Sequence, residues 1–561
     1  MRLALLLLYA AGIGAVHAQT PESDIGRRID QLFSAYGGEN SPGCALGVIR
    51  AGALVYQKGY GKANLEFGVP IDPDSTVFDI GSVSKQFTAA AILLLVQDKK
   101  ISLDDDIRRY LPELPDYHEV ITLDHLLYHT SGLRDFTVLM TMGTGVRQID
   151  YRSAEDAWEV IKRQKRLNHP PGAKFVYSNT NYFLLGQIVE RVSGKRLGEF
   201  LHERIFQPLG MRHTSVRDRH DTVVPQFASA YALDESGAHR LNEINWEFTG
   251  SSSILSTVTD LAKWDGNFDE PRVGGEWLVQ QLQRNGIRND GVKLDLGRGL
   301  FTGQYRGVKA IYHPGATAGY NAQFFRLPEE RFSTVILCNV DKANAASLSF
   351  TVADVFLADE ISKRRASAAR PTADAAIVPA ALAGTGQGNY AGTYLDRYSQ
   401  SLHTVQFADG KLWYAAPHQK ALALEPTGER RFRLPGKATS SLAFSSQGKR
   451  RLLTVARGSG EPAELERVRP LPAGPQALGD YSGAYASPEI DVRWTFVIRD
   501  GKLYKQARRE KEKPMEAVFE DAFTVAEDSE LIRFRRDGSK RVTGFTVDNP
   551  RVLDVVFTKV R

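Results

Sequence analysis

Phe78-Asp79-Ile80-Gly81-Ser82-Val83-Ser84-Lys85-Gln86-Phe87 runs directly into the apolar stretch Ala89 to Val96. That stretch is hydrophobic all round, which predicts a buried helix from Ser84 to Gln97 with Ser82 in its first turn. Residues three apart on a helix are neighbours on one face, so the Lys85 ammonium is expected to reach the Ser82 hydroxyl. The unpaired amides at a helix N-terminus favour an alkoxide or oxyanion at the same place. By itself the spacing is weak, because Ser446-Gln447-Gly448-Lys449 repeats it in a β-turn with no helix to support it.

Two further segments give Ser82 its company. Pro171-Gly172-Ala173-Lys174-Phe175-Val176-Tyr177-Ser178-Asn179 precedes a helical run from Tyr182 to Val192, and of 21 tyrosines only Tyr177 has Asn two residues later. A phenol beside an ammonium is expected to titrate below its usual range and to serve as a base. His313-Pro314-Gly315-Ala316-Thr317 leads into the strand-like Ala322 to Leu327, and of 12 histidines only His313 is followed two residues on by Gly. A small residue there lets a substrate backbone lie along a strand edge.

These three elements, in this order, resemble the penicillin-recognising serine hydrolases, above all their class C β-lactamase-like and D-aminopeptidase branch. Ile121 to Leu133 and Leu255 to Trp264 look like further family segments. The resemblance implies an α/β (α+β) catalytic domain with a five-stranded antiparallel sheet and a helical subdomain. It implies Ser82 as nucleophile, Lys85 and Tyr177 as the groups that activate it, and Asn179, His313 and Gly315 as substrate-binding. The backbone amides of Ser82 and Ala316 would form the oxyanion hole. No metal or organic cofactor is implied. His313 stands where β-lactamases and carboxypeptidases of the family usually carry Lys, so a fixed cation for a carboxylate is not expected at this position. Histidine there resembles the D-aminopeptidase and D-amino-acid amidase pattern.

Around this centre, 561 residues exceed one hydrophobic core, and the composition divides them. Residues 1–18 read as a signal peptide, which predicts a secreted or periplasmic bacterial protein. Residues 21–365 mix helical and strand periods and form the hydrolase domain; 366–387 are an Ala-, Gly- and Pro-rich linker. Beyond it, short alternating runs predict two small antiparallel β-barrels (lipocalin-like) at 388–468 and 479–561, joined by a Pro-rich linker at 469–478. Gly388-Asn389-Tyr390-Ala391-Gly392-Thr393-Tyr394 is echoed 91 residues later by Gly479-Asp480-Tyr481-Ser482-Gly483-Ala484-Tyr485. In the D-aminopeptidase-like arrangement a loop of the last barrel enters the cleft. Arg508 to Lys513 and Arg535 to Gly538 are the candidates, each also readable as a solvated turn.

A net charge of +5 with interspersed signs argues against nucleic acid. No stable membrane span is expected in the mature chain. The partner is a small-molecule or short-peptide substrate, cell-wall fragments included; the oligomeric state stays open, a homodimer among the options. Cys44 and Cys338 read as buried free thiols, with a single bridge left open in an oxidising compartment. An α/β-hydrolase elbow, Gly-x-Ser-x-Gly, is absent from the sequence. Zinc spacing is absent too, since His202-Glu203 lacks a second histidine at helical distance. Within the hydrolase reading, D-aminopeptidase or amidase, short-chain esterase and weak β-lactamase compete. A non-catalytic wall-fragment sensor is the rival from another class.

Overall fold

A computed structural model describes residues 24–358, 360, 387–417, 419–435, 440–448, 450–457, 462–471, 478–525 and 529–560. The expected signal peptide, most of the 366–387 linker and Lys449 lie outside the described residues. Six strands form one antiparallel sheet: β1 (Cys44–Arg50), β2 (Ala53–Tyr60), β3 (Phe301–Tyr305), β4 (Val308–Thr317), β5 (Tyr320–Leu327) and β6 (Phe332–Cys338). Their order is β3-β4-β5-β6-β1-β2. The expected five strands become six because β3 folds back onto β4 through Arg306 and Gly307. Both have positive φ, 52° and 81°, the handedness that two-residue hairpin turns prefer.

Five helices matter for the site: α1 (Asp24–Leu32), α2 (Lys85–Gln97), α3 (Asn179–Ser193), α4 (Val258–Asp269) and α5 (Ala345–Phe356). Side chains alternate across β1. Cys44, Leu46 and Val48 pack with Ile29 of α1 and Val352 of α5, while Ala45 and Ile49 join Val258 and Leu261 of α4. Both sheet faces are therefore covered, which is why the strands read as nearly continuous apolar runs. Residues 85–95 of α2 are all buried, as a helix without a polar face requires. The shorter helices Leu123–Leu127, Phe136–Thr141 and Ala154–Lys162 lie with α2 and α3 between β2 and β3 and form the helical region.

The antiparallel register of β1 and β6 sets Cys44 opposite Cys338, and the two are joined by a disulfide. This corrects the free-thiol reading: sequence cannot show that two strands 294 residues apart are neighbours. Because the bridge closes so long a span, the chain-entropy argument gives it up to about 5 kcal/mol. The Cys44→Ser, Cys338→Ser double variant is expected to melt roughly 5–10 °C lower by calorimetry; an unchanged Tm would show that the bridge contributes nothing.

The β-repeat is real in the fold. Strands Gly392–Asp396, Ser401–Ala408 and Lys411–Ala415 correspond to Gly483–Ser487, Val492–Arg499 and Lys502–Gln506 at a constant offset of 91. The second unit is a closed barrel of eight strands. Its interior holds stacked and edge-on rings of Tyr485, Trp494, Phe496, Phe534, Phe545 and Phe557, which pack against one another. The first unit departs from the expected closed barrel. Its nine strands run from Leu422–Ala423 at one edge to Glu425–Gly428 at the other. Those edges are separated in the chain by Leu424 alone, so the sheet curls round to an open seam.

Candidate active site

Ser82 sits in a 3₁₀ turn, Gly81–Ser84, that leads into α2, one turn earlier than an unbroken α-helix would place it. In a 3₁₀ turn residues three apart eclipse one another, and Lys85 Nζ lies 3.1 Å from Ser82 Oγ. The turn is pressed against β4. Gly81 has φ 52°, and a Cβ there would stand 2.8 Å from Ala316 N. A Cβ on Gly315 would meet Ile80 O at 2.1 Å and come within 3.2 Å of Ser82 N. Glycine at both positions is thus what brings the amides of Ser82 and Ala316 side by side, the arrangement an oxyanion hole needs. Since β3 pairs with β4 only as far as Tyr312, residues 313–317 pair with β5 alone and leave one edge free along the cleft.

Lys85 is fully buried. Its Nζ also reaches Asn179 Oδ1 at 2.9 Å and Ser251 O at 2.7 Å. Burial pushes its pKa well below the ordinary lysine range, with the nearby Arg551 charge acting in the same direction against Asp135. As an ammonium, Lys85 donates to all three oxygens. As a neutral amine it donates to Asn179 and Ser251 and turns its lone pair to the Ser82 hydroxyl. The Asn179 amide is committed elsewhere: its Nδ2 donates to Asp135 Oδ2 (3.1 Å) and Thr137 Oγ1 (3.3 Å). The side chain expected to bind a substrate amide therefore holds Lys85 in place in the free protein.

Tyr177 stacks on His129, with ring centroids 4.3 Å apart. Removal from water raises its pKa, and the Ser82 hydrogen bond and Arg551 offset this only in part. Burial thus acts against the lowering expected from a neighbouring ammonium, and as a phenol Tyr177 can relay a proton. His129, 2 % exposed, accepts a hydrogen bond at Nδ1 from Ser178 N (3.2 Å), while its own carbonyl accepts from Val176 N. It positions Tyr177 from beneath. His313 is buried, and its Nδ1 donates to Pro314 O at 2.6 Å, leaving Nε2 as an acceptor. Burial and the Lys85 charge push its pKa down to about 3, so the ring is neutral.

A pH test follows from these directions. With neutral Lys85 as the expected base, kcat/KM is expected to fall as pH drops through the lowered lysine pKa. His313 is held neutral by burial, its pKa pushed down to about 3. The acid limb should persist in His313→Gln; a limb that vanishes with the histidine would assign it there instead.

Two participants had no signal in the sequence. Asp135 caps the helix Phe136–Thr141 through Oδ1 and accepts Asn179 N at Oδ2 (2.9 Å), tying that helix to α3. Arg551 comes from the last barrel, in the turn between strands Val542–Asn549 and Val552–Lys559, and its guanidinium lies 4.8 Å from the Tyr177 ring centre. The two loops singled out from sequence do other work. Arg508 and Arg509 pack beside Gly145, and Arg536 pairs with Asp480 and Asp521. The cleft, about 800 Å³, is lined by Ser82, Tyr177, Asn179, His313, Gly315, Ala316 and Arg551 together with the aromatic rings of Phe175, Trp246, Phe248 and Phe301. The decoy Ser446 lies exposed on a barrel strand, away from it. Among the described residues no cluster of His, Cys, Asp and Glu could hold a metal ion.

A family model described as Beta-lactamase matches residues 29–355. A D-aminopeptidase of Brucella anthropi is 25% identical over 529 residues, which is 90% of this chain and 93% of that protein. Among solved structures, the octameric penicillin-binding protein homologue from Pyrococcus abyssi superposes with a TM-score of 0.53 over 87% of this chain and 100% of its own, at 21% identity. The D-amino acid amidase from Ochrobactrum anthropi, solved with L-phenylalanine amide, gives 0.51 over 60% of this chain and 100% of its own, at 22% identity. At such identities these two likenesses speak for the fold.

Proposed function

Because the chain belongs to the beta-lactamase family and is a serine hydrolase, we propose that it is an exported enzyme that cleaves D-residue amides, short peptides or small esters through an acyl-enzyme on Ser82. The observation that carries the reading is the buried Lys85 amine at 3.1 Å from Ser82 Oγ, with its other two contacts taken by oxygens that can only accept from it. Ser82 Oγ attacks the carbonyl carbon and its proton passes to Lys85 Nζ. The new oxyanion lies against the amides of Ser82 and Ala316. The tetrahedral adduct collapses as the leaving amine or alcohol takes a proton relayed through Tyr177. Water then attacks the ester, giving its proton to the same pair, and Ser82 regains its hydrogen.

The likeness to a D-aminopeptidase along nine-tenths of the chain supports D-residue substrates, and neutral His313 speaks against efficient β-lactam recognition. The Cys44–Cys338 bridge and the apolar N-terminal run support export. The test is intact-mass spectrometry on a panel of D- and L-aminoacyl amides, muropeptides, simple esters and a chromogenic β-lactam. Acyl adducts on Ser82 with D-amides or esters are expected. A protein that binds wall fragments yet never acylates would instead be the sensor.

A further inference from the structure

Arg551 is the one strongly basic side chain set against Tyr177 among the described residues that line the cleft, and it is held there from outside the catalytic domain. Its turn is clamped by Asn168, whose Nδ2 donates to Arg551 O (2.8 Å) and whose Oδ1 accepts from Leu553 N (2.8 Å). Asp135 N adds a longer bond to Arg551 O, and Arg134 and Arg166 both donate to Asp554 O. At the base of the turn, buried Asp548 pairs with Arg397 of the first β unit and with Arg533. The backbone that carries Arg551 is thus fixed by four elements.

The guanidinium is ion-paired with Asp135 and keeps part of its N–H surface open to the cleft. It is 44% exposed, stands 3.6 Å from Asp135 Oδ2, and donates no hydrogen bond to protein among the described residues. Asp135 is fully buried and already accepts from Asn179 N, Asn179 Nδ2, Thr137 N and Thr137 Oγ1. Among the described residues that line the cleft there is no Asp or Glu, while exposed Lys342 adds a second cation at its rim. An ammonium-bearing substrate would meet like charge at the surface, the nearest carboxylate, Asp135, being buried behind Arg551, Asn179 and Thr137. A carboxylate would meet the exposed N–H donors of a guanidinium whose backbone is clamped and whose Nη1 arm is paired with Asp135.

We propose that Arg551 is a specificity-determining residue that binds a carboxylate of the substrate beside Ser82, so that this enzyme takes anionic amides or esters in place of substrates with a free α-ammonium. The cation missing at position 313 is supplied from the last barrel. This rests on the acyl-enzyme reading of Ser82 and narrows its substrate class. The carboxylate can belong to the acyl part or to the leaving group, and the test separates the two.

Two matched sets serve. The first is the p-nitrophenyl esters of succinate, butyrate and 3-aminopropanoate, which end the acyl chain in carboxylate, methyl and ammonium. The second is the N-acetyl-D-alanyl amides of D-alanine, D-alaninamide and 1,2-diaminopropane, which place the same change on the leaving side. In one set the carboxylate member is expected to exceed the neutral one in kcat/KM by about tenfold or more, and the ammonium member to be poorest. Arg551→Glu should invert that order and Arg551→Lys should keep it with a smaller ratio; the backbone clamp does not depend on the side chain, so both variants should fold. Equal or better turnover of neutral and ammonium members in both sets, or an order unchanged in Arg551→Glu, overturns the inference and leaves the hydrolase reading intact. If no member acylates Ser82, the hydrolase reading falls and takes the inference with it.

Discussion

Ser82→Ala is expected to abolish acyl-enzyme formation and to lower kcat/KM on any amide or ester substrate by on the order of 10⁴-fold or more. Among the described residues, the neighbouring serines are engaged elsewhere. Ser84 Oγ is turned inward to accept from Ile254 N at 3.2 Å, and Ser252 and Ser253 Oγ face each other at 3.5 Å. The fold should be untouched, because the lost hydroxyl is half-buried at the cleft floor and Lys85 keeps its bonds to Asn179 and Ser251. Intact-mass spectrometry after exposure to a phosphonate or slow ester substrate reads the result directly. A Ser82→Ala protein that still gains the acyl mass, or hydrolyses esters at the parent rate, would remove Ser82 from its role.

Glu489→Ala is the second large effect, and it acts on stability. Glu489, in the turn between the first two strands of the closed barrel, pairs with Arg134 of the catalytic domain; their side chains are 7% and 0% exposed. Arg134 also donates to Gln164 Oε1 at 3.0 Å and to Asp554 O at 3.1 Å, and Gln164 Nε2 donates back to Glu489 O at 3.1 Å. Taking away the carboxylate leaves a buried guanidinium without its counter-charge, a loss of about 3–5 kcal/mol. Replacing both partners, Arg134→Met with Glu489→Leu, should recover much of that, since the desolvation of two charges disappears with them. Denaturant unfolding is expected to show the loss for the single variant and its partial reversal for the double. Arg134 adjoins Asp135 in the chain, and its carbonyl accepts from Thr180 Oγ1 at 2.6 Å. The single variant should therefore also lose activity, through a displaced Arg551 and a loosened Asn179. A single variant as stable as the parent would show that the barrel is only loosely docked.

Where local pattern carried the information, sequence reading picked out residues that the fold brings to one cleft. α2 was legible because its apolar run has no polar face, and the β-repeat because its turns recur at a fixed interval. Ser82, Lys85, Tyr177, Asn179, His313, Gly315 and Ala316 all converge on one cleft, each announced by a spacing that one turn or one strand edge imposes. What local pattern left open has a different cause. Whether Tyr177 is a phenolate, whether Asn179 is free for substrate and whether two cysteines meet all depend on neighbours far away in the chain. Asp135 reads as an ordinary helix cap, and nothing in Asn549-Pro550-Arg551 sets it apart from any other hairpin turn.

The amino-acid sequence by itself determined which chemistry is present: a serine and a lysine three residues apart, a tyrosine with its asparagine, a histidine before a glycine, and a doubled β unit after them. Helix and strand periods act over a few residues, so these pairings are settled locally. Only the tertiary structure decided the charge states and the surroundings of that chemistry. Burial lowers Lys85, raises Tyr177 and holds His313 neutral, and these are effects of depth and dielectric that no spacing encodes. The same holds for Arg551, which lies 469 residues after Ser82 in the chain and reaches its cleft because three packed units bring them together.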